Sequence, residues 1–416
     1  MGVAELFENG IVVVGGGHGG SQAVASLRAE GYEGPLTLVS AESDIPYQRP
    51  PLSKAFLKEA GHELLPLRPA SFYEKNDVTL MLDTKALAID RAARQLRLAG
   101  DRLLPFDRLV LAPGSRARMP PIDGIDHDGV LSLRNAGDAR QIRDRLDKAG
   151  DVVVVGGGFI GLEIAATARL LGKTVTVLEA ADRLMGRVVA PEISAHFLSL
   201  HRGWGSDIRL DTPIGRVIGE GRSVAAVETA SGDRIAADMV VIGIGVLPNV
   251  ELGQDAGLAT DNGIVVNALM ETGAPEILAL GDCAAFDHWE LGRRVRLESV
   301  QNAVDQAKTA ARTIVGRPAP FREVPWFWSD QGDVKLQMVG LSMNATHSVT
   351  RGAPGDGAFS VFHFDGDRLV AIDSVNRAAD HMVGRKLLAA GSSPAPELCA
   401  DEGFDLKSLI PRPSRG

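Results

Sequence analysis

The stretch Asp151-Val-Val-Val-Val-Gly-Gly-Gly-Phe-Ile-Gly-Leu-Glu163 decides how the rest of the chain is read. Its four consecutive valines have the branched, wholly apolar character of a strand buried on both faces. Gly156, Gly158 and Gly161 follow as Gly-x-Gly-x-x-Gly where the strand should turn into a helix. Glycine permits a tight turn there and lets the backbone approach a pyrophosphate, with the helix N-terminus facing the anion. The next predicted strand, Thr174–Leu178, ends at Glu179, a carboxylate placed about twenty residues on to accept from a ribose 2′-hydroxyl. The glycines alone would be weak evidence; strand, glycines, helix and terminal acid in that order specify a dinucleotide-binding unit.

The same order occurs near the N-terminus. The strand Ile11–Val14 leads into Gly15, Gly17 and Gly20, a helical stretch at 21–30, a second strand Leu36–Val39, and then Glu42. Two such units predict two dinucleotides, and an enzyme that holds two redox dinucleotides passes a hydride between them. A chain of 416 residues exceeds one hydrophobic core, so two or three domains are expected. Hydrophobic residues make up 45% and charged residues 23%, a globular balance, and no run of about twenty residues is free of charge, so no membrane span is expected. The first apolar run ends in a glycine loop and not at a cleavage site, which reads as a cytoplasmic protein. A net charge of −9 argues against general nucleic-acid binding. The two cysteines, Cys283 and Cys399, form no Cys-x-x-Cys, which excludes a dithiol active site and a cysteine-built metal site.

Further along, short strands are expected within 78–90, one buried strand over 104–112, and strands at 207–210, 214–218, 224–229 and 234–242. The segments 263–267 and 277–280 return to the first unit, and Gly281-Asp282 follows the last strand, where open α/β sheets place their ligand groups. Pro325-Trp-Phe-Trp-Ser-Asp-Gln331 is the densest aromatic cluster in a chain with 5% aromatics. Trp326 and Trp328 share a parity, so in an extended run both face one side, with core burial the default reading of such a pair. Strands at 335–339, 358–364 and 369–374 and a helix at 377–390 complete a C-terminal domain, and the Pro- and Arg-rich tail 408–416 is expected to be mobile.

One loop is more specific. In Asp44-Ile-Pro-Tyr-Gln-Arg-Pro-Pro-Leu-Ser-Lys54, three prolines hold the backbone extended and present Arg49 and Lys54 from a stiff segment. This run resembles the Pro-Tyr-x-Arg-Pro-Pro-Leu-Ser-Lys segment of the FAD-dependent NADH:ferredoxin reductases of bacterial oxygenase systems, the family of putidaredoxin reductase and the biphenyl dioxygenase reductase. The resemblance extends from Gly10 to about Leu409. It implies an α/β fold with two Rossmann-like dinucleotide-binding domains, glutathione-reductase-like, plus an α+β C-terminal domain. The expected boundaries are 1–114 and 246–324 for FAD, 115–245 for NADH, and 325–416 for the C-terminal domain.

For FAD the resemblance implies Gly15, Gly17, His18, Gly20, Ser40, Glu42, Arg49 and Lys54. It adds Ala86 at the adenine, Arg134 and Asp282 at the flavin, and Val300 at the start of a helix whose N-terminus faces the flavin pyrimidine edge. Ala112-Pro113-Gly114 departs from the family's Ala-Thr-Gly, and the proline removes an N–H and a hydroxyl. For NADH it implies Gly156, Gly158, Ile160, Gly161, Glu163, Glu179, Arg187 and Gly245. Glu179 would repel a 2′-phosphate, which favours NADH over NADPH, although Arg183 and Arg187 stand close enough in sequence to receive one.

The chemistry so implied is hydride transfer from NADH to non-covalent FAD, then single electrons to a [2Fe-2S] ferredoxin that feeds an oxygenase, either a haem monooxygenase or a ring-hydroxylating dioxygenase. Lys54 and Glu163 are the expected catalytic pair, a cation for the reduced flavin and the carboxylate that holds it; one of Trp326 and Trp328 is expected by the flavin or nicotinamide, with Trp328 preferred. Arg293, Arg294, Arg296, Arg312, Arg385 and Lys386 are candidates, by composition, for steering an acidic ferredoxin. Rubredoxin reductase and monodehydroascorbate reductase share the scaffold and the missing dithiol. An apoptosis-inducing-factor-like binding flavoprotein is the non-enzyme alternative.

Overall fold

The computed structural model describes residues 9–59 and 61–410; from 411 on, the Pro- and Arg-rich tail lies outside the described residues. The chain forms two compact units, each assembled from separated stretches. One gathers the chain through Arg49, Leu64–Arg116 and Leu247–Glu323; the other gathers Pro50–Glu63, Ala117–Val246 and the chain from Val324 onward. Among the described residues, no helix is long and apolar enough to cross a membrane.

The first unit is built on a parallel sheet of five strands in the spatial order Ile277–Ala279, Arg108–Leu111, Ile11–Val14, Leu36–Val39, Val78–Met81. Ile11, Val12, Val13 and Val14 are buried because the strand has neighbours on both edges and layers on both faces. The helix His18–Ala29 returns over the sheet with Ala23, Val24 and Leu27 inward and packs on the helix Val300–Ile314. The strand order reverses beside Ile11–Val14, so its C-terminal end opens onto the crevice where such sheets bind ligands.

The second unit repeats the arrangement with Asp207–Arg209, Thr174–Leu178, Asp151–Val155, Met239–Ile242 and Val130–Ser132. Val152 to Val155 are each 4% exposed or less, and each buried valine stabilises by roughly 1.5–3 kcal/mol. The same unit contains an antiparallel sheet ordered Trp326–Gln331, Val334–Gly340, Arg368–Val375, Ala358–Asp365, His347–Ala353, on which the helix Ala378–Ala389 packs through Val383, Leu387 and Leu388. Two dinucleotide-type sheets and an α+β C-terminal part are the fold class the sequence leads one to expect.

Two segments that read as single strands are each two. Over 104–112 the chain leaves an antiparallel hairpin at Leu103–Pro105 and enters the parallel sheet at Arg108–Leu111. The corner is fixed by Asp107, whose carboxylate accepts from the N–H of Asn9 at 2.6 Å and of Gly10 at 3.0 Å. Over 234–242, Arg234–Ala236 belongs to a hairpin and Met239–Ile242 to the parallel sheet. Asp238 forms this corner by accepting from the N–H of Gly150 at 2.7 Å and of Asp151 at 2.9 Å. Those backbone bonds hold its carboxyl below the ordinary range. The strand His347–Ala353 has no apolar alternation to reveal it, because it is an exposed edge.

Candidate functional site

Each glycine-rich turn has the shape its spacing predicts. Gly15 and Gly156 have φ of 116° and 108°, a conformation that L side chains rarely adopt. A Cβ on Gly20 would lie 1.9 Å from the Gly15 carbonyl oxygen, and one on Gly161 would lie 2.3 Å from that of Gly156, so the third glycine lets each helix close on its strand. At the second glycine the opposite holds. A Cβ on Gly17 would meet nothing nearer than Arg49 Nε at 3.8 Å, and one on Gly158 nothing nearer than the Gly243 carbonyl at 3.9 Å. Those positions face open space that a side chain would fill. Neither following helix has a side-chain cap or an acid in its first turn, whereas Asn135 and Ser299 cap the helices Ala136–Leu146 and Val300–Ile314. Uncapped N–H groups facing a cleared space suit a pyrophosphate, so the residues present fit a dinucleotide at each turn.

Around the first turn, Glu42 accepts from Arg49 Nη2 at 2.5 Å and from the Tyr47 hydroxyl, which stiffens the proline loop from within. Ser40 Oγ accepts from the Glu42 N–H at 3.2 Å and stands where a Cβ on Gly16 would touch it, 2.5 Å away. Asp282 follows the edge strand Ile277–Ala279 and accepts from Ser115 Oγ at 2.9 Å, while its carbonyl accepts from Arg296 Nη1 at 3.1 Å. Arg296 Nε, Asn302 Oδ1 and Gln306 Nε2 are buried polar atoms without a hydrogen-bond partner among the described residues. Val300 is the first residue of its helix, and the Ser299 side chain already occupies one N–H, that of Asn302 at 3.0 Å. Ala86 begins the hairpin strand Ala86–Asp90, and Pro113, in place of threonine, offers its carbonyl to Asn249 Nδ2 at 2.9 Å. His18 opens the helix His18–Ala29. Arg134 lies in the second unit just before the capping box of Asn135 and Asp138, and its N–H donates to Asp138 at 2.8 Å.

In the second unit Glu179 is held at the glycine turn, accepting from the N–H of Gly157 at 2.6 Å and of Ala181 at 2.8 Å. Arg183 is committed to its own loop, donating to the carbonyls of Gly186 and Val189 and to Ser194 Oγ. Arg187 reaches Gly245, where a Cβ would lie 3.5 Å from its Nη2, so these two expected residues are brought together. Ile160 is 45% exposed in the first turn of the helix Phe159–Leu170, an apolar side chain with no core to fill.

Glu163 lies one turn further along that helix and is 3% exposed. Lys54 Nζ donates to its Oε2 at 2.6 Å and also to the Pro50 carbonyl at 3.1 Å. The two residues are 109 apart in sequence and meet because Pro50–Glu63 packs with the second unit. That segment is anchored by Thr167 Oγ1 donating to the Ser53 carbonyl at 2.9 Å and by the Arg143 guanidinium 4.4 Å above the Phe56 ring. Sequence reading missed two partners of the carboxylate. Ser53 Oγ donates to Oε2 at 2.5 Å and Ser329 Oγ to Oε1 at 2.7 Å. The available signal for Ser329 was parity, since it alternates with the tryptophans and shares a face with Phe327 and Gln331.

Trp326 and Trp328 do face one side, with ring centroids 5.5 Å apart, and the Arg385 guanidinium lies 4.6 Å over Trp326. Among the basic docking candidates, Arg296 is withdrawn by burial: its side chain is 8% exposed and paired with Glu298 at 2.7 Å. Arg294 pairs with Asp287 and Asp261, and Arg312 with Glu30. Both cysteines are free and buried, and burial pushes each thiol up to about 12, which leaves no thiolate for relay chemistry.

Residues 9–307 match the family model described as pyridine nucleotide-disulphide oxidoreductase, and residues 326–410 match a reductase C-terminal model. The chain belongs to the pyridine nucleotide-disulphide oxidoreductase family. It is 45% identical to rhodocoxin reductase of Rhodococcus erythropolis over 97% of this chain and 94% of that protein. A crystal structure of a ferredoxin reductase from Rhodopseudomonas palustris matches with a TM-score of 0.95 and 43% identity, covering 97% of this chain and all of the other. The covalent putidaredoxin reductase–putidaredoxin complex matches with a TM-score of 0.93 and 40% identity, covering 97% and 98% of the two chains. Membership in this family brings FAD and NAD(H) as the oxidoreductase's cofactors, which the two glycine turns fit.

Proposed function

We propose that the protein is an NADH-dependent ferredoxin reductase that supplies single electrons to a [2Fe-2S] ferredoxin serving an oxygenase. The observation that carries this reading is the pairing of Lys54 with the buried Glu163 carboxylate in a chain with two dinucleotide turns and no usable thiol. FAD, when bound, takes up an electron pair as hydride and gives the electrons up one at a time. Each NADH oxidised to NAD⁺ then accounts for two one-electron reductions of ferredoxin and one proton released. FAD is assigned to 1–114 and 246–324, NADH to 115–245, and 325–416 forms the C-terminal domain.

In the FAD domain, Gly15, Gly17 and Gly20 clear the pyrophosphate path, Glu42 and Arg49 form the adenosine side, and Asp282 offers a carboxylate at the strand end. In the NADH domain, Gly156, Gly158 and Gly161 repeat that path. Glu179, fixed by two backbone N–H groups, retains lone pairs for a ribose hydroxyl and places negative charge where a 2′-phosphate would go. Arg183, folded into its own loop, is not available to such a phosphate, which further favours NADH. Lys54 provides positive charge for the reduced cofactor, and Glu163 keeps the ammonium in one place. Trp328 is the tryptophan assigned to the flavin side. The cytoplasm is the compartment this reading assigns, because NADH is regenerated there.

The test is stopped-flow reduction of the purified flavoprotein by NADH, followed by turnover with purified ferredoxins and a rubredoxin. Lys54→Met is expected to slow flavin reduction by about a hundredfold with FAD retained. An unchanged reduction rate sinks the role of Lys54, and turnover with rubredoxin but no ferredoxin sinks the acceptor.

A further inference from the structure

The strand Trp326–Gln331 carries two polar side chains, Ser329 and Gln331, that are both 0% exposed. They share a face with Phe327, whose ring centroid is 4.8 Å from that of Phe159 on the glycine-turn helix. Apolar side chains would fill such positions without desolvating a hydroxyl and an amide, so these two must be matched by hydrogen bonds. The matching runs in one direction. His201 on the helix Pro191–Gly203, itself 0% exposed, lies 2.8 Å through Nε2 from Gln331 Oε1. Gln331 Nε2 donates to Ser329 Oγ at 3.4 Å and to Met185 Sδ at 3.7 Å. Ser329 Oγ donates to Glu163 Oε1 at 2.7 Å, while the other oxygen, Oε2, receives Ser53 at 2.5 Å and Lys54 at 2.6 Å.

With the Gln331 amide so oriented, the imidazole proton sits on His201 Nε2, and the bonds from His201 through Gln331 and Ser329 all donate toward Glu163. Burial pushes the His201 pKa below its ordinary value, with the Gln331 bond opposing, which suits a neutral ring. Aligned donors polarise one another in a dry interior, so the last bond, at the carboxylate, is the strengthened one. The series is also tied to the NADH turn, because the Met185 N–H donates to the Gly157 carbonyl at 2.9 Å.

We propose that His201, Gln331 and Ser329 form a positioning chain that fixes Glu163 Oε1, leaving Oε2 to hold the Lys54 ammonium in the place hydride transfer from NADH requires. This rests on the reading of Lys54 and Glu163 given above. No proton or electron passes along the chain; its members act through Glu163.

The experiment uses FAD-loaded wild type, Ser329→Ala, Ser329→Thr and Gln331→Met, with Lys54→Met in parallel. Ser329→Ala is expected to lower the single-turnover rate of flavin reduction at saturating NADH by about tenfold. The dissociation constant for ADP-ribose, which has no nicotinamide, should stay within about twofold of wild type, and Ser329→Thr should restore most of the rate. Gln331→Met should show a smaller loss in the same direction. The proposal is overturned if Ser329→Ala keeps the wild-type rate while Lys54→Met slows. It is also overturned if rate, ADP-ribose affinity and urea midpoint fall together without rescue by threonine, which is the pattern of a packing defect. A wild-type rate in Lys54→Met removes the underlying reading, and the positioning chain with it.

Discussion

Gly20 and Gly161 impose the same steric demand in two different units, and that separates the roles of the two turns. A methyl group at either position would enter the carbonyl oxygen of the first glycine of its turn, at 1.9 and 2.3 Å, and backbone must shift to admit it. Gly20→Ala is therefore expected to yield protein depleted in FAD, read as flavin absorbance per chain. Gly161→Ala should keep its flavin and raise the KM for NADH roughly tenfold, about 1.4 kcal/mol. The reverse pattern would exchange the two domain assignments. Most of these residues were legible in the sequence, because a glycine turn is a local device whose spacing states its geometry. Ser53 and Ser329 were not, since a serine in a loop or strand has no spacing of its own, and each acquires a partner only when distant segments meet at Glu163.

At the scale of elements, the helix Ala378–Ala389 carries a buried cost. His381 is 1% exposed and neither ring nitrogen has a protein partner. Burial, with the charge of Arg385 adding to it, pushes its pKa down to about 4 from an ordinary 6.5. The folded state therefore binds this proton less readily than the unfolded chain. No protonation penalty applies above pH 6.5, and stability is lost as pH falls from there through about 4. The loss is on the order of 3 kcal/mol if the full shift applies, at roughly 1.4 kcal/mol per unit. Urea midpoints followed by tryptophan fluorescence should fall across that window, and His381→Phe should flatten the fall; an equally steep curve in the variant would assign the acid loss elsewhere. The strand boundaries show the same limit of local reading. Apolar runs at 104–112 and 234–242 look continuous, yet Asp107 and Asp238 turn the chain by accepting backbone N–H groups from distant strands.

For the molecule as a whole, charge sets the expected behaviour toward a ferredoxin. The chain carries a formal charge of −9, and Arg294, Arg296 and Arg312 are paired with acids. Recognition of an acidic partner must then come from a local basic surface acting over about a Debye length, near 10 Å at 0.1 M salt. Turnover with ferredoxin should fall as salt rises while flavin reduction by NADH stays level; acceleration by salt would mean that overall repulsion governs the encounter. The sequence by itself determined the repeated strand–glycine–helix units, the two dinucleotides they imply and the absence of a dithiol, because each depends on residues adjacent in the chain. Only the tertiary structure decided that Pro50–Glu63 packs with the second unit and that Ser53 and Ser329 join the expected Lys54 at Glu163. Those contacts join residues more than a hundred positions apart, and what selects them is the need to satisfy one buried carboxylate, a demand that exists only once the chain has folded.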